Sequence, residues 1–225
     1  GQTMAAIELG MLTSDIESPH LIAQAQSWLG EGTVLASRMG NTAEGLSHSC
    51  ILTHFRIGTD GFERMLVVAP EGTSEARAGR ISQRLLELET YRLMALRGLP
   101  VAKNLSAMLS AAEAQLADIT GLLERKGETD QALLDLLVSL AARIERATAE
   151  HGFRFSATRA YDTLVGQRLT ELRERPISGT QTLGEFMQRR LSPAMATVQA
   201  TEKRLASLAE RVSRTSALLR TRVDI

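Results

Sequence analysis

The sequence predicts an α+β fold in which a small N-terminal sheet domain is followed by a bundle of long helices. Two observations lead to this prediction. Short apolar runs alternate with glycine-rich turns up to Pro70, after which helical periodicity continues to the end of the chain. The composition is 44 % hydrophobic and 23 % charged but 4 % aromatic, which is typical of long helices that pack on one another. We therefore expect a sheet domain at residues 1–70 and a helical bundle at residues 71–225.

The first 70 residues contain four predicted strands and one predicted helix. The strands cover residues 5–12, 33–39, 49–57 and 62–68. The helix is predicted between the first two strands, at residues 21–29. The last two strands flank Gly58-Thr59-Asp60-Gly61, and such a turn between β-rich runs predicts a hairpin. Leu66, Val67 and Val68 in succession predict that its second strand is covered on both faces.

A long helix is predicted after these strands. Thr73 and Ser74 can cap its first turn, where the negative charge of Glu75 is favoured by the positive end of the helix dipole. Apolar residues at helical spacing then continue to Leu99. Pro100 follows, and because proline lacks a backbone N–H, we expect the helix to kink or break there.

Two segments share an apolar repeat of alternating four- and three-residue steps. The repeat forms one helix-packing seam on each segment: Leu105, Leu109, Leu116, Ile119 and Leu123 on the first, and Leu133, Leu137, Leu140 and Ile144 on the second. The intervening residues include Gly127, which can end one helix, and Thr129, which can cap the next. Matched seams across so short a loop predict an antiparallel helical hairpin of the coiled-coil type.

Two further helices are predicted in the rest of the chain. One covers residues 156–175 and stops at Pro176. The other begins at Thr182, whose spacing to Glu185 matches a capping box, and we expect Pro193 to bend it. Its apolar repeat uses Val198, Leu205, Leu208, Val212 and Leu219. The last residues contain no glycine, asparagine or proline stop, so this helix is expected to continue beyond Ile225.

Composition and charge exclude several classes of function. The chain has 26 basic and 26 acidic residues and a formal net charge of zero, so nothing attracts it generally to nucleic acid. Its single cysteine, Cys50, excludes an internal disulfide and suits a reducing compartment such as the cytosol. The sequence has no run of about 18 apolar residues, so no segment within it is predicted to cross a bilayer.

The candidate metal ligands are His48, Cys50 and His54, which alternate along one predicted strand. Imidazole and thiolate are good ligands for transition metals, but a fourth ligand is missing. His48 and His54 also lie about 20 Å apart along an extended strand, too far to share one ion. A buried structural cysteine is the simpler interpretation. We therefore predict no catalytic residue, no cofactor and no metal site, and we do not expect an enzyme.

Several long blocks of sequence carry a family resemblance. The blocks are His54-Phe55-Arg56-Ile57 with Asp60-Gly61-Phe62, Arg84 to Leu96, Phe153-Arg154-Phe155-Ser156-Ala157 with Arg159-Ala160-Tyr161, Gln181 to Phe186, and Leu219 to Asp224. Over residues 50–225 the chain resembles the bacterial uncharacterised membrane-anchored proteins of domain-of-unknown-function family thirty-four twenty-two. Phe153 stands where a tyrosine is expected, and the aromatic ring is retained.

The resemblance implies an architecture rather than a chemistry. Members of the family carry membrane-spanning segments after the point where this chain stops, which implies a place at the cytoplasmic face of the bacterial inner membrane. Arg214, Arg220 and Arg222 would then form a membrane-proximal basic group, in agreement with the positive-inside rule. One alternative is that these arginines lie on solvated helix faces beside glutamates such as Glu210. A phosphate-binding or RNA-binding surface ranks below both, because no aromatic side chains accompany the charge. The family offers no established catalytic or binding residues to transfer.

Two functional hypotheses follow, and an enzyme with a site in the sheet domain ranks below both. In the first, the chain is the self-associating scaffold portion of a membrane-anchored protein. It would form a homo-oligomer partly through its last helix, which at about 60 Å needs a second copy or the preceding helix to cover its seam. In the second, it is the soluble, cytoplasmic domain of an ion channel or transporter, because its layout resembles that of CorA-type magnesium transporters. The sequence identifies no small-molecule or ion ligand.

Overall fold

A computed structural model describes residues 3, 5–40, 49–124 and 130–223. The chain divides into two compact units. The first, called the sheet unit, comprises residues 1–95 and 160–193, and the second, called the helical unit, comprises residues 96–159 and 194–225. The boundary predicted after residue 70 follows the change from strands to helices. The sheet unit of the structure extends further, because it also includes the first long helix and the segment 160–193.

The sheet unit is built on five strands. They are β1 (Ile7–Thr13), β2 (Leu35–Met39), β3 (Ser49–Ile57), β4 (Glu63–Ala69) and β5 (Glu174–Pro176). The strand order is β1-β4-β3-β2-β5, in which β1 pairs with β4 in parallel and the other neighbours pair antiparallel. Helix α1 (Leu21–Leu29) packs on this sheet, and its Leu29 shares a core with Cys50, Leu52 and Val68. The predicted α+β fold class is confirmed.

The predicted hairpin of β3 and β4 is confirmed as well. The N–H of Gly58 donates to the carbonyl of Phe62, and the N–H of Gly61 donates to the carbonyl of Gly58. Gly61 has a φ of 85°, a conformation that glycine adopts without steric cost. β4 lies between β1 and β3, and Val67 and Val68 are fully buried, as the apolar run predicts.

Strand β5 differs from the prediction, which continues a helix to Arg175. The helix ends at Leu172 instead, and Glu174–Pro176 pair antiparallel with β2. Arg173 has a φ of 49°, and this left-handed residue turns the chain out of the helix. A strand of three residues is too short to show an alternating pattern in the sequence, so periodicity does not predict it. It forms because β2 provides a strand with which it can pair.

Helix α2 (Glu75–Leu96) begins where the caps predict and ends earlier than expected. The hydroxyl of Ser74 accepts a hydrogen bond from the N–H of Arg77, 3.4 Å away. The break precedes Pro100, which lies in the first turn of α3 (Gly98–Glu124). Proline is tolerated there because the N–H that it lacks would have no partner within the helix.

Helix α4 (Asp130–Leu172) is continuous where two helices were predicted, at residues 133–151 and 156–175. The intervening residues, including Gly152, are helical. A glycine in a helix interior costs about 1 kcal/mol relative to alanine. Burial of a phenylalanine contributes about 1.5 to 3 kcal/mol, so Phe155, which is 1 % exposed, offsets that cost.

Helix α5 (Leu183–Val223) begins at the predicted capping box. The hydroxyl of Thr182 accepts from the N–H of Glu185 at 3.1 Å, and the carboxylate of Glu185 accepts from the N–H of Thr182 at 2.9 Å. The helix continues without interruption through Pro193. Across the described residues, no helix combines the length and the apolar character that a membrane span requires.

The helical unit has one apolar core, to which α3, α4 and α5 all contribute. Eight of the nine predicted seam residues are buried in this core: Leu105, Leu109, Leu116, Ile119, Leu133, Leu137, Leu140 and Ile144. Leu123 is half-buried and packs against the same core. The loop roles predicted for Gly127 and Thr129 lie outside the described residues. The coiled-coil geometry of the hairpin stays a prediction.

The apolar repeat of α5 is buried within the helical unit. Its five residues, Val198, Leu205, Leu208, Val212 and Leu219, are at most 4 % exposed and belong to the core formed with α3 and α4. Of the two partners considered for this seam, the helices of the same chain provide the cover. The seam is therefore not available to a second copy.

Contacts within the helical unit show that α4 and α5 are antiparallel. Arg159, late in this part of α4, pairs with Glu202, early in this part of α5. Ala141 and Ala142, earlier in α4, line a cavity of about 530 Å³ together with Arg220, close to the end of α5. The first turns of α4 therefore lie beside the last turns of α5.

Candidate functional site

The predicted membrane-proximal arginines lie where α5 ends. Arg214 and Arg220 are exposed. Arg214 lies 3.4 Å from Glu210, and the two side chains are 66 % and 72 % exposed. An exposed ion pair at this spacing contributes about 0.5 kcal/mol at most. It therefore adds little to the stability of the folded chain. Arg222 is helical, but its side chain lies outside the described residues.

Exposed apolar side chains lie at the same end of the helical unit. Leu218 on α5 is 70 % exposed, and Leu136 and Val138 in the first turns of α4 are 43 % and 52 % exposed. Because these turns of α4 lie beside the last turns of α5, the three apolar residues share one end with Arg214 and Arg220. Basic and apolar side chains together are typical of surfaces that contact lipid headgroups.

Two of the three candidate metal ligands, Cys50 and His54, have structural roles in β3. Cys50 is fully buried, and burial raises the pKa of its thiol to about 12. The ring of His54 has backbone partners on both nitrogens: Nε2 lies 2.5 Å from the carbonyl of Leu29, and Nδ1 accepts from the N–H of Arg56 at 3.1 Å. His48 lies outside the described residues. In the described ranges, no three His, Cys, Asp or Glu side chains are placed to hold a metal ion.

A cluster of charged side chains lies between α2 and the sheet, within the sheet unit. Arg92 of α2 donates two hydrogen bonds to Glu89, at 2.6 and 2.5 Å. Its Nη2 atom lies 3.5 Å from Oε2 of Glu63 on β4. The side chains of Glu63, Glu89 and Arg92 are 4 %, 0 % and 11 % exposed. One guanidinium therefore faces two buried carboxyl groups, and it cannot neutralise both if both are ionised.

Two phenylalanine rings cover the guanidinium of Arg92. Phe55 of β3 and Phe186 of α5 stack with their centroids 4.8 Å apart, and Arg92 Cζ lies 5.0 and 5.9 Å from the two rings. Phe55 has a φ of 47°, at the irregularity of β3 between Thr53 and Ile57. Such a left-handed conformation costs about 1 to 3 kcal/mol. The stacking and the cation–π contacts offset part of that cost.

The surroundings of Glu63 favour the protonated form of its carboxyl group. Burial and then the negative charge of Glu89 raise its pKa to about 9, while Arg92 acts in the opposite direction. Oε1 of Glu63 has no hydrogen-bond partner in the described part of the chain, and the residue lines a cavity of about 260 Å³ with Ile57 and Leu93. A buried carboxyl held neutral can donate a hydrogen bond or store a proton.

The sequence-based predictions do not include this cluster, although three of the family blocks meet in it. Phe55 belongs to the block that begins at His54, Glu89 and Arg92 belong to the block that begins at Arg84, and Phe186 ends the block that begins at Gln181. The sequence contains one signal for this cluster. Glu89 follows Leu88 on the buried face of α2, and a carboxylate at a core position is seldom found without a partner.

Glu63→Gln tests the protonation of this cluster through the pH dependence of stability. Because the folded-state pKa is raised above the ordinary 4.5, the stabilising contribution of Glu63 is complete below that pH and is lost as the pH rises towards 9. The neutral amide removes this loss. We therefore expect the free energy of unfolding of the variant to vary less with pH across this interval and to exceed that of wild type at its upper end.

Urea unfolding at several pH values measures this difference. Glu210→Gln, at a side chain that is 72 % exposed, is the matched control and should follow the wild-type profile. Parallel profiles for wild type and Glu63→Gln would contradict the assignment of the proton to Glu63.

Comparison with known proteins gives a family without an assigned activity. No curated protein matches the chain, and no solved structure matches it. The family model described as "Protein of unknown function (DUF3422)" matches residues 1–225. This match includes the first fifty residues, which the resemblance drawn from the sequence blocks leaves out. The chain therefore belongs to the DUF3422 family.

Proposed function

We propose that this chain is the scaffold portion of a membrane-anchored protein, with the end of its helical unit facing the cytoplasmic surface of the bacterial inner membrane. The observation that carries the proposal is the shared location of exposed Arg214, Arg220 and Leu218 in the last turns of α5. The membrane-spanning segments implied by the family resemblance support the same orientation.

Electrostatic attraction favours contact between this end and anionic lipids. Each basic residue near the anionic leaflet contributes about 1 kcal/mol of attraction. Arg220 forms no ion pair with any described residue, and the partner of Arg214 is itself exposed. Leu218 can add apolar contact with the headgroup region, because burial of a leucine side chain contributes about 1.5 to 3 kcal/mol.

The dimensions of the helical unit support the role of a stiff spacer. α3 has 27 residues, and the parts of α4 and α5 in this unit have roughly 30 each, so the three helices are about 40 to 45 Å long. Their buried seam extends from Ala102 in α3 to Leu219 in α5. Helices of matched length with a continuous core resist bending. This property suits a scaffold that keeps two regions of a protein at a fixed distance.

Charge reversal at the end of α5 should weaken binding to anionic membranes. We expect the chain to co-sediment with vesicles of phosphatidylcholine mixed with phosphatidylglycerol. Arg214→Glu with Arg220→Glu should bind at least about tenfold more weakly, because about 1 kcal/mol of attraction is lost for each arginine. The matched control, Arg189→Glu with Arg190→Glu, reverses two exposed arginines of α5 in the sheet unit. Equal binding by both variants, or no binding by wild type, would refute the membrane-facing orientation.

Self-association is the second part of the proposal. The buried repeat of α5 cannot supply the interface, so exposed apolar residues such as Phe153, which is 82 % exposed, are the better candidates. In sedimentation velocity, we expect the mean mass of wild type to rise with concentration and that of Phe153→Ser to rise less. A constant monomer mass would exclude self-association.

The ion-channel alternative requires a closed ring of several copies, which the same measurement would detect.

A further inference from the structure

A cavity of about 290 Å³ in the sheet unit is lined by four arginines. Arg77, Arg80 and Arg84 contribute from the first three turns of α2, and Arg173 contributes from the position that follows α4. The end of β2 forms another part of the lining. The fold thus gathers basic side chains that are distant in the sequence around one concave surface.

Among the residues that the structure describes, few negative charges compensate the positive charge of this lining. Its one carboxylate, Glu171, is 3.3 Å from Arg84 and is also 3.0 Å from Arg168, so two guanidinium groups share it. The other three arginines of the lining form no ion pair with any residue that the structure describes. The cavity therefore attracts anions.

Helix stability does not explain why three arginines share this face of α2. Arg77 and Arg80 are three residues apart, and Arg80 and Arg84 are four residues apart. Like charges at these spacings are neighbours on the helix surface and destabilise the helix. Arg77 also lies in the first turn, where the positive end of the helix dipole disfavours a cation. A bound anion would reverse both effects.

The left-handed backbone conformation of Arg173 indicates a functional role for its side chain. Its φ of 49° lies in the left-handed region, which glycine or asparagine adopts more readily at the end of a helix. An arginine here accepts backbone strain and places a fourth guanidinium in the lining. Strained residues of this kind are concentrated at binding sites.

We propose that this cavity binds a phosphate group that carries two or more negative charges. Guanidinium groups pair with phosphate oxygens in a bidentate manner and stay charged at all physiological pH values. The volume lies near the lower limit of small-molecule pockets, which is about 300 Å³. It therefore suits a diphosphate or a phosphorylated headgroup. A dissolved phosphate compound and an anionic lipid headgroup present this same chemistry.

Calorimetric titration with pyrophosphate tests the proposal on the whole chain. Arg77→Gln with Arg80→Gln should bind pyrophosphate at least about tenfold more weakly than wild type, because two charge-assisted hydrogen-bonding groups are lost. The matched control, Arg189→Gln with Arg190→Gln, removes the same charge from an exposed stretch of α5 and should stay within about twofold of wild type.

Thermal unfolding separates a loss of binding from a loss of folding. Without ligand, Arg77→Gln with Arg80→Gln should melt no lower than wild type, because repulsion along α2 is relieved. Pyrophosphate should raise the melting temperature of wild type and leave that of the variant unchanged, since only a ligand that binds the folded state stabilises it.

Vesicles distinguish the two sources of phosphate. Phosphatidic acid carries a phosphate monoester, whereas phosphatidylglycerol carries a diester with one charge. Preference for phosphatidic acid that disappears in Arg77→Gln with Arg80→Gln supports a lipid ligand, and pyrophosphate binding alone supports a dissolved one.

If wild type binds neither probe, or if the variant binds both as wild type does, the proposal is wrong. Binding to phosphatidylglycerol through Arg214 and Arg220 would be unaffected, so the membrane-facing orientation is judged separately.

Discussion

Replacing Leu137 with alanine should lower the free energy of unfolding by about 2 to 5 kcal/mol. Leu137 is fully buried in the core of the helical unit, to which residues of all three helices contribute. The substitution removes three carbon atoms and leaves a cavity that rigid helices cannot close completely. Urea unfolding followed by far-ultraviolet circular dichroism measures the loss.

The neighbouring leucine provides a matched control. Leu136 lies in the same helix and is 43 % exposed. Leu136→Ala should change the free energy of unfolding by less than about 1 kcal/mol, because it creates no cavity and alanine has the highest helix propensity. If the two alanine variants lose the same stability, the assignment of the core face of α4 is wrong.

Arg92→Met should lower the free energy of unfolding by about 3 to 5 kcal/mol, because it leaves a buried carboxylate without its counter-charge. Arg92 donates both of its hydrogen bonds at 2.6 Å or less to Glu89, which is completely buried. The methionine side chain retains the apolar contact with Phe55 and Phe186 but not the charge. The control Arg214→Met, at a 66 % exposed side chain, should cost less than about 1 kcal/mol.

A second substitution separates charge from packing at this position. Glu89→Gln combined with Arg92→Met removes both charges, and replacing a complete buried pair is much less costly than breaking it. We expect the double variant to recover at least half of the stability that Arg92→Met loses. A double variant as unstable as the single one would show that the loss comes from packing rather than from the unpaired carboxylate.

Local signals predict those elements whose residues interact with near neighbours in sequence. Helix α1 and strand β3 form at the predicted residues, and the Thr182–Glu185 capping box has the predicted hydrogen bonds. The errors occur where distant contacts decide. Gly152 stays helical because buried residues on either side hold α4 together, and β5 forms because β2 is there to pair with it.

The apolar repeat of α5 shows the limit of periodicity in another way. A heptad-like pattern identifies the face of a helix that is buried but says nothing about the partner that covers it. The sequence was compatible with a second copy or with a helix of the same chain, and the structure shows the latter for Val198 to Leu219. The arginine-lined cavity was missed for a related reason, since Arg173 meets Arg77 only through the tertiary fold.

The burial of Cys50 has a practical consequence for labelling. Cys50 is the single cysteine of the chain, its side chain is inaccessible, and its raised pKa leaves almost no thiolate at neutral pH. Maleimide dyes and nitroxide spin labels should therefore leave the native chain unmodified. A cysteine introduced at an exposed site, as in Leu218→Cys, would carry the probe alone, so its depth relative to a bilayer could be measured without altering β3.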